Sequence, residues 1–140
     1  MEMMTNFLGI DWGSSKVGIA LAHAETGVAL AYSTLRNDEF FMDNLLKLIV
    51  LEDIGTVVIG IPSHVNREEV EYEGEKLGKI ITEKLPDIRI AYQDEMFTTK
   101  MAQANLIERG EKHVGRHDDA EAARIILQSY MDHGQGTANS

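Results

Sequence analysis

Residues 56–61, Thr-Val-Val-Ile-Gly-Ile, constrain the fold more than any other stretch of this 140-residue chain. The run is continuously apolar and β-branched, and Gly55 and Pro62 bound it. A strand with no polar face cannot leave one side in water, so it belongs inside a sheet in a parallel arrangement covered on both faces. The rest of the chain must supply neighbouring strands and two layers of helix.

The pattern around that run supplies both. Residues 7–12 are an apolar stretch of strand length that ends on Asp11. Asp11-Trp12-Gly13-Ser14-Ser15 reads as a tight turn, because glycine and serine suit positive φ and local side-chain bonding. Residues 16–23 resume as a second strand, and after a polar patch residues 28–35 make a third. Short turns between three strands imply an antiparallel meander. Residues 38–53 change period. Phe40, Phe41, Leu45, Leu48, Ile49 and Ile54 recur at three- and four-residue steps behind Asp38 as N-cap, which predicts a helix. Further helices are predicted over 70–85, closed by Pro86, over 98–109, stopped by Gly110, and from Asp118 to about Asp132. A short strand is expected at 88–92. The order is an α/β one, β-β-β-α-β-α-β-α-α, and it predicts a five-stranded mixed sheet. An antiparallel meander of strands one to three would be joined by parallel strands four and five, with helices on both faces. The reading is of one domain over residues 1–133, followed by a disordered tail at 134–140.

In such a sheet the first strand lies centrally, and its carboxyl end is where α/β proteins keep their active sites. Asp11 stands there. Glu95 follows strand five and Asp119 opens the last helix, so three acids share one topological address. Each has a plain structural reading: Asp11 can close a turn, Asp94 and Glu95 can decorate a loop, and Asp118 and Asp119 can cap a helix. Asp118 can serve as the cap, however, which makes Asp119 available for another role. Clustered carboxylates repel unless a cation offsets them. With no cysteine in the chain, an all-oxygen ligand set favours a hard ion, Mg²⁺ or Mn²⁺. Two such ions can activate water for phosphodiester cleavage.

Charge bears on the substrate. Thirteen Lys+Arg against twenty-three Asp+Glu give a net charge of −10, the wrong sign for general electrostatic capture of nucleic acid. The balance reverses between Lys100 and His117, where Arg109, Lys112 and Arg116 are the candidates for phosphate contact. Lys16, beside the acids, is a fourth. No apolar run approaches the roughly 20 residues that span a bilayer, and the opening MEMMTNF lacks the pattern of a signal peptide. A cytoplasmic protein without membrane contact is expected, as monomer or homodimer.

Four segments carry a resemblance. Leu8-Gly9-Ile10-Asp11-Trp12-Gly13-Ser14-Ser15-Lys16-Val17-Gly18-Ile19-Ala20 resembles the opening motif of the YqgF family, also called RuvX-like or Holliday-junction-resolvase-like proteins. Val57-Val58-Ile59-Gly60-Ile61-Pro62 is similar to its fourth-strand signature. Gln93-Asp94-Glu95-Met96-Phe97-Thr98-Thr99 resembles its Asp-Glu-Arg-x-Thr/Ser-Thr motif, and Asp119-Ala120 with Ala123 and 125–130 its C-terminal helix. Together they span residues 7–133. The resemblance implies an RNase H-like fold and a metal-dependent nuclease whose catalytic and metal-holding acids are Asp11, Glu95 and Asp119. It also implies work on the 5′ end of pre-16S rRNA or on branched DNA. Two departures stand out. The family's arginine is Met96 here. Its usual loop appears as Gly60-Ile61-Pro62-Ser63-His64-Val65-Asn66-Arg67, followed by Glu68, Glu69, Glu71, Glu73 and Glu75. These fit an alternative, a non-catalytic nucleic-acid or protein binding module on the same fold. Asp11-x-Gly13-x-x-x-x-Gly18 is also similar to the phosphate loop of actin-like and sugar-kinase ATPases, which would make the chain a nucleotide-binding lobe.

Overall fold

The structure is a computed structural model that describes residues 5–61, 73–94 and 119–134. Five strands form one sheet: β1 Asn6–Asp11, β2 Lys16–Ala22, β3 Ala29–Arg36, β4 Ile54–Ile61 and β5 Arg89–Asp94. Their spatial order is β3-β2-β1-β4-β5. β1 pairs antiparallel with β2 and parallel with β4, β2 pairs antiparallel with β3, and β4 pairs parallel with β5. The meander and the parallel half therefore meet at a central β1, as the residue pattern predicts. Three helices are described: α1 Phe41–Leu51, α2 Glu73–Lys84 and α3 Asp119–Ser129, the last running into a π-helical turn at Tyr130–Gly134. The helix predicted over 98–109 and the tail at 135–140 lie outside the described residues.

Strand alternation sorts the core into two layers. Leu8 and Ile10 of β1, Val17 and Ile19 of β2, and Val57 and Ile59 of β4 point to one side. There they pack with Phe41, Leu45, Leu48 and Ile49 of α1 and with Leu77 and Ile81 of α2. Ala20, Ala22 and Val58 point to the other side, beneath Ala123, Ile126 and Leu127 of α3. The helical spacing of the apolar positions in α1 explains why it forms, but it starts later than the pattern suggests, and Ile54, counted in that spacing, begins β4 instead. Asp38 acts before the helix: its carboxylate accepts the Phe40 N–H at 2.9 Å and its carbonyl accepts the Phe41 N–H at 3.1 Å. At the far end Asp53 takes φ 53°, a left-handed turn that aspartate tolerates. The Asn6 N–H then donates to the Asp53 carbonyl at 2.9 Å, and the Asn6 side chain to the Glu52 carbonyl at 2.8 Å. These bonds fasten the end of α1 to the start of β1.

The aromatic residues divide between core and surface. Phe41 is buried and its ring meets Trp12 edge-on at 5.6 Å, whereas Tyr32, Phe40 and Tyr92 are exposed. Tyr32 sits at a register shift on the edge strand β3, where the extra residue bulges and its hydroxyl donates to Glu52 at 3.3 Å.

Central burial sets the stability expected of variants. Ile59→Ala, at a position with no exposure, should lower the unfolding free energy by about 2–5 kcal/mol. Leu51→Ala, at a helix end 74% exposed, should stay within about 0.5 kcal/mol. Urea unfolding of both variants checks this, and equal losses would contradict the assignment of the core.

Candidate active site

The carboxyl ends of β1, β4 and β5 share one edge of the sheet, because the three strands are parallel. Asp11 is the last residue of β1 and is 3% exposed. Among the described residues the buried charged side chains are Asp11 and Glu121, and Glu121 pairs with Arg124 one turn along α3. Strand alternation puts Asp11 on the α3 face, the side of Phe7 and Gly9. Its partner across the β1–β2 ladder is Gly18.

That glycine decides where α3 begins. A Cβ placed on Gly18 would lie 1.9 Å from the carbonyl oxygen of Asp119 and 2.9 Å from the backbone nitrogen of Ala120. Only a residue without a side chain lets the first turn of the helix rest on the strand. Gly9 does the same further along: a Cβ there would lie 2.7 Å from Leu127 Cβ and 2.8 Å from the Ala123 carbonyl oxygen. Asp119 is thus seated against the residue that faces Asp11. The last turn of α3 is pinned as well. Gln128 accepts the Ala29 N–H at 2.8 Å and donates to the Gly27 carbonyl at 3.2 Å. Gln93 of β5 donates to the Ser129 hydroxyl at 3.1 Å.

The turn after Asp11 is held from α1 and β3. Trp12 abuts Phe41, the Asn37 side chain donates to the Gly13 carbonyl at 2.7 Å, and the Asn37 N–H donates to the Ser15 carbonyl at 2.9 Å. These contacts fix the backbone that follows Asp11 and the entry to β2 at Lys16. Lys16 is exposed and lies on the α3 face, two residues from Gly18. Its ladder partner is Arg36, the last residue of β3, also exposed.

Of the residues expected from sequence, Asp11 pairs across the ladder with Gly18, the Asp119 backbone lies against that same glycine, and Lys16 stands two residues away. Glu95, Arg109, Lys112 and Arg116 lie outside the described residues, and β5 is described to Asp94, the residue before Glu95. Among the described residues no three His, Asp or Glu side chains gather into a metal-binding group. Sequence reading named Gly18 within its motifs without its packing role, and it missed Asn37. A glycine inside a strand is a signal of close backbone approach and could have pointed to Gly18. Asn37 carries no local signal, since its partners are turn carbonyls more than twenty residues away in sequence.

Comparison with known proteins settles the family. The RuvX family model, described as Holliday junction resolvase, matches residues 5–133. The chain belongs to the RuvX family. A relative from Staphylococcus epidermidis, named "Putative pre-16S rRNA nuclease", is 36% identical over 134 residues, covering 89% of this chain and 94% of that protein. One of the same name from Limosilactobacillus reuteri is 34% identical, covering 91% and 94%. The fold matches Thermus thermophilus RuvC in complex with a Holliday junction substrate at TM-score 0.61. That match has 18% identity and covers 95% of this chain and 97% of the other. Fowlpox virus resolvase with Holliday junction DNA gives TM-score 0.57 at 9% identity, covering 91% and 97%. The five-stranded sheet of this RuvX chain is the RNase H-like fold those structures share, as the sequence resemblance implies.

Seating of α3 on a bare strand generates a prediction. Gly18→Ala must displace the first turn of the helix and should destabilise the protein by about 1–3 kcal/mol. Thermal unfolding measures it, and an unchanged midpoint would mean that α3 does not rest on Gly18.

Proposed function

We propose that this RuvX chain is a divalent-metal-dependent nuclease that hydrolyses phosphodiester bonds, acting in the cytoplasm on the 5′ end of pre-16S rRNA. One observation carries the reading: the buried carboxylate of Asp11 ends the central strand, and Asp119 opens the helix seated across from it on Gly18. Relatives named for pre-16S rRNA at 34–36% identity favour an RNA substrate. The junction-bound structures, at 18% identity or less, bear on fold alone, so branched DNA is the second reading.

The donors suit the ion. Aspartate and glutamate oxygens without cysteine make a hard ligand set, and a buried carboxylate is retained where a positive charge meets it. Asp11, Asp119 and Glu95 would hold Mg²⁺ or Mn²⁺, with Asp94 the substitute for Glu95. The bound ion would supply activation of water and stabilisation of the leaving oxygen.

The chain's own part is placement. Trp12 and Asn37 hold the turn that fixes Asp11, and the two close glycine contacts hold Asp119. Lys16 would neutralise phosphate beside the acids. Arg109, Lys112 and Arg116 would hold the strand leading to them, a locally basic stretch in a chain of net charge −10. Few cations make binding salt-limited.

Purified protein with Mn²⁺ should shorten a 5′-extended pre-16S RNA, and EDTA should stop it. Asp11→Asn should lose on the order of a hundredfold or more in rate, at least the loss that follows from removing a residue that merely orients a metal ligand. Its thermal midpoint should remain near that of the parent. Equal cleavage by wild type and Asp11→Asn would overturn the assignment, and cleavage of a four-way DNA junction but not RNA would favour the second reading.

A further inference from the structure

The carboxyl edge of the sheet is electrically lopsided. On one side of Asp11, β2 begins with Lys16 and β3 ends with Arg36, directly opposite each other in the ladder. Both are exposed, and among the described residues neither makes an ion pair. Both also project on the α3 face, because Val17 and Leu35 beside them pack into the opposite core layer. Like charges opposed across a ladder repel, so the arrangement costs stability unless something anionic sits between them. On the other side of Asp11, α2 starts at the end of β4. A Cβ on Gly74 would lie 2.9 Å from Ile59 Cγ2 and 3.4 Å from the Gly60 carbonyl oxygen, and Glu73 and Glu75 flank that glycine. Three more glutamates, Glu68, Glu69 and Glu71, precede them in sequence.

We infer that Arg36 and Lys16 together form a binding site for the phosphodiester backbone of the substrate strand, so that the strand leaves the acids across the ends of β2 and β3 and away from β4. Distance permits it. Lys16 is two residues beyond Gly18, about 7 Å along the strand, and Arg36 is two strand spacings from β1. Its Cα therefore lies about 12 Å from that of Asp11. An arginine side chain closes much of that gap and offers a guanidinium fork matched to phosphate oxygens. The amino end of α2 offers phosphate no matching pair: it packs on the other face of the sheet, and Lys76 there is already ion-paired with Glu73 at 3.3 Å. Arg36 escapes sequence reading because nothing local marks it: it stands twenty residues from Lys16, and only the β2–β3 register makes them neighbours. The inference rests on the nuclease reading and deepens it by assigning the track of the substrate.

The test is binding, measured apart from cleavage. Fluorescence anisotropy of labelled oligoribonucleotide and oligodeoxyribonucleotide single strands is followed across a KCl series, in an Asp11→Asn background that leaves the strand intact. Arg36→Ala and Arg36→Gln should each weaken binding on the order of five- to tenfold at 0.1 M salt. Each should also lower the slope of log K against log salt by about one contact's worth, for RNA and DNA alike. Lys84→Ala removes the same charge from the last turn of α2, at the other end of the sheet, and should change neither quantity. Unchanged affinity and slope in both Arg36 variants, with the parent still binding, would overturn this inference alone and leave Arg36 as an edge-strand guard against self-pairing. A parent that binds neither strand would overturn the inference together with the nuclease reading.

Discussion

Close contact between helix α3 and bare backbone is the constraint on which the rest of the molecule depends. A helix packed on ordinary strand side chains is held off the sheet by the depth of those side chains. Here Gly9 and Gly18 remove the side chains under it, and the carbonyl of Asp119 comes within a methyl's width of the strand. The apolar layer beneath α3 is correspondingly thin, built of Ala20, Ala22 and Ala123 with Val58, Ile126 and Leu127. The opposite layer, under α1 and α2, is filled by leucine, isoleucine and valine. The thick layer carries most of the burial and hence most of the stability. The thin layer sets the height and the starting point of one helix, and with it the position of an acid.

This division explains how a sheet with two buried faces can also hold a polar site. Asp11 is buried at the end of a strand whose preceding residues, Leu8 and Ile10, are wholly inside. A carboxylate there is costly unless its charge is met, and the neighbourhood is built to meet it. The amino end of α3, the positive end of its dipole, arrives beside the same ladder. The turn that follows Asp11 is clamped by Asn37 and Trp12. The segment that carries Asp11 is therefore positioned from β2, α1 and the residue after β3.

Much of this is legible in the sequence, and the limits have physical causes. The both-faces-apolar run 56–61 and the three short-turn strands give the sheet and the central place of β1, since alternation and turn chemistry are local. The strand ends shift by up to two residues, because pairing with a neighbour and not residue type decides where a strand stops. The start of α1 moves for a similar reason: Asp38 works as a turn residue before the helix and Phe40 faces water. Tyr32 and Tyr92 are aromatic but lie on edge strands, where a large side chain need not be covered. Asp11 and Asp119 could be named because strand ends and helix starts are visible in a sequence. Arg36 and Asn37 could not, because their significance lies in a ladder register and in carbonyls of a distant turn.

The account stands or falls on whether the acids at this edge act on one ion. A crystal soaked in Mn²⁺ and measured at the manganese absorption edge answers that directly. An anomalous peak should appear at the carboxyl end of β1, with carboxylate oxygens of Asp11 and Asp119 about 2.0–2.6 Å from it and Glu95 completing the set. A map with no peak there, or a peak that Asp11 reaches and Asp119 does not, would contradict it.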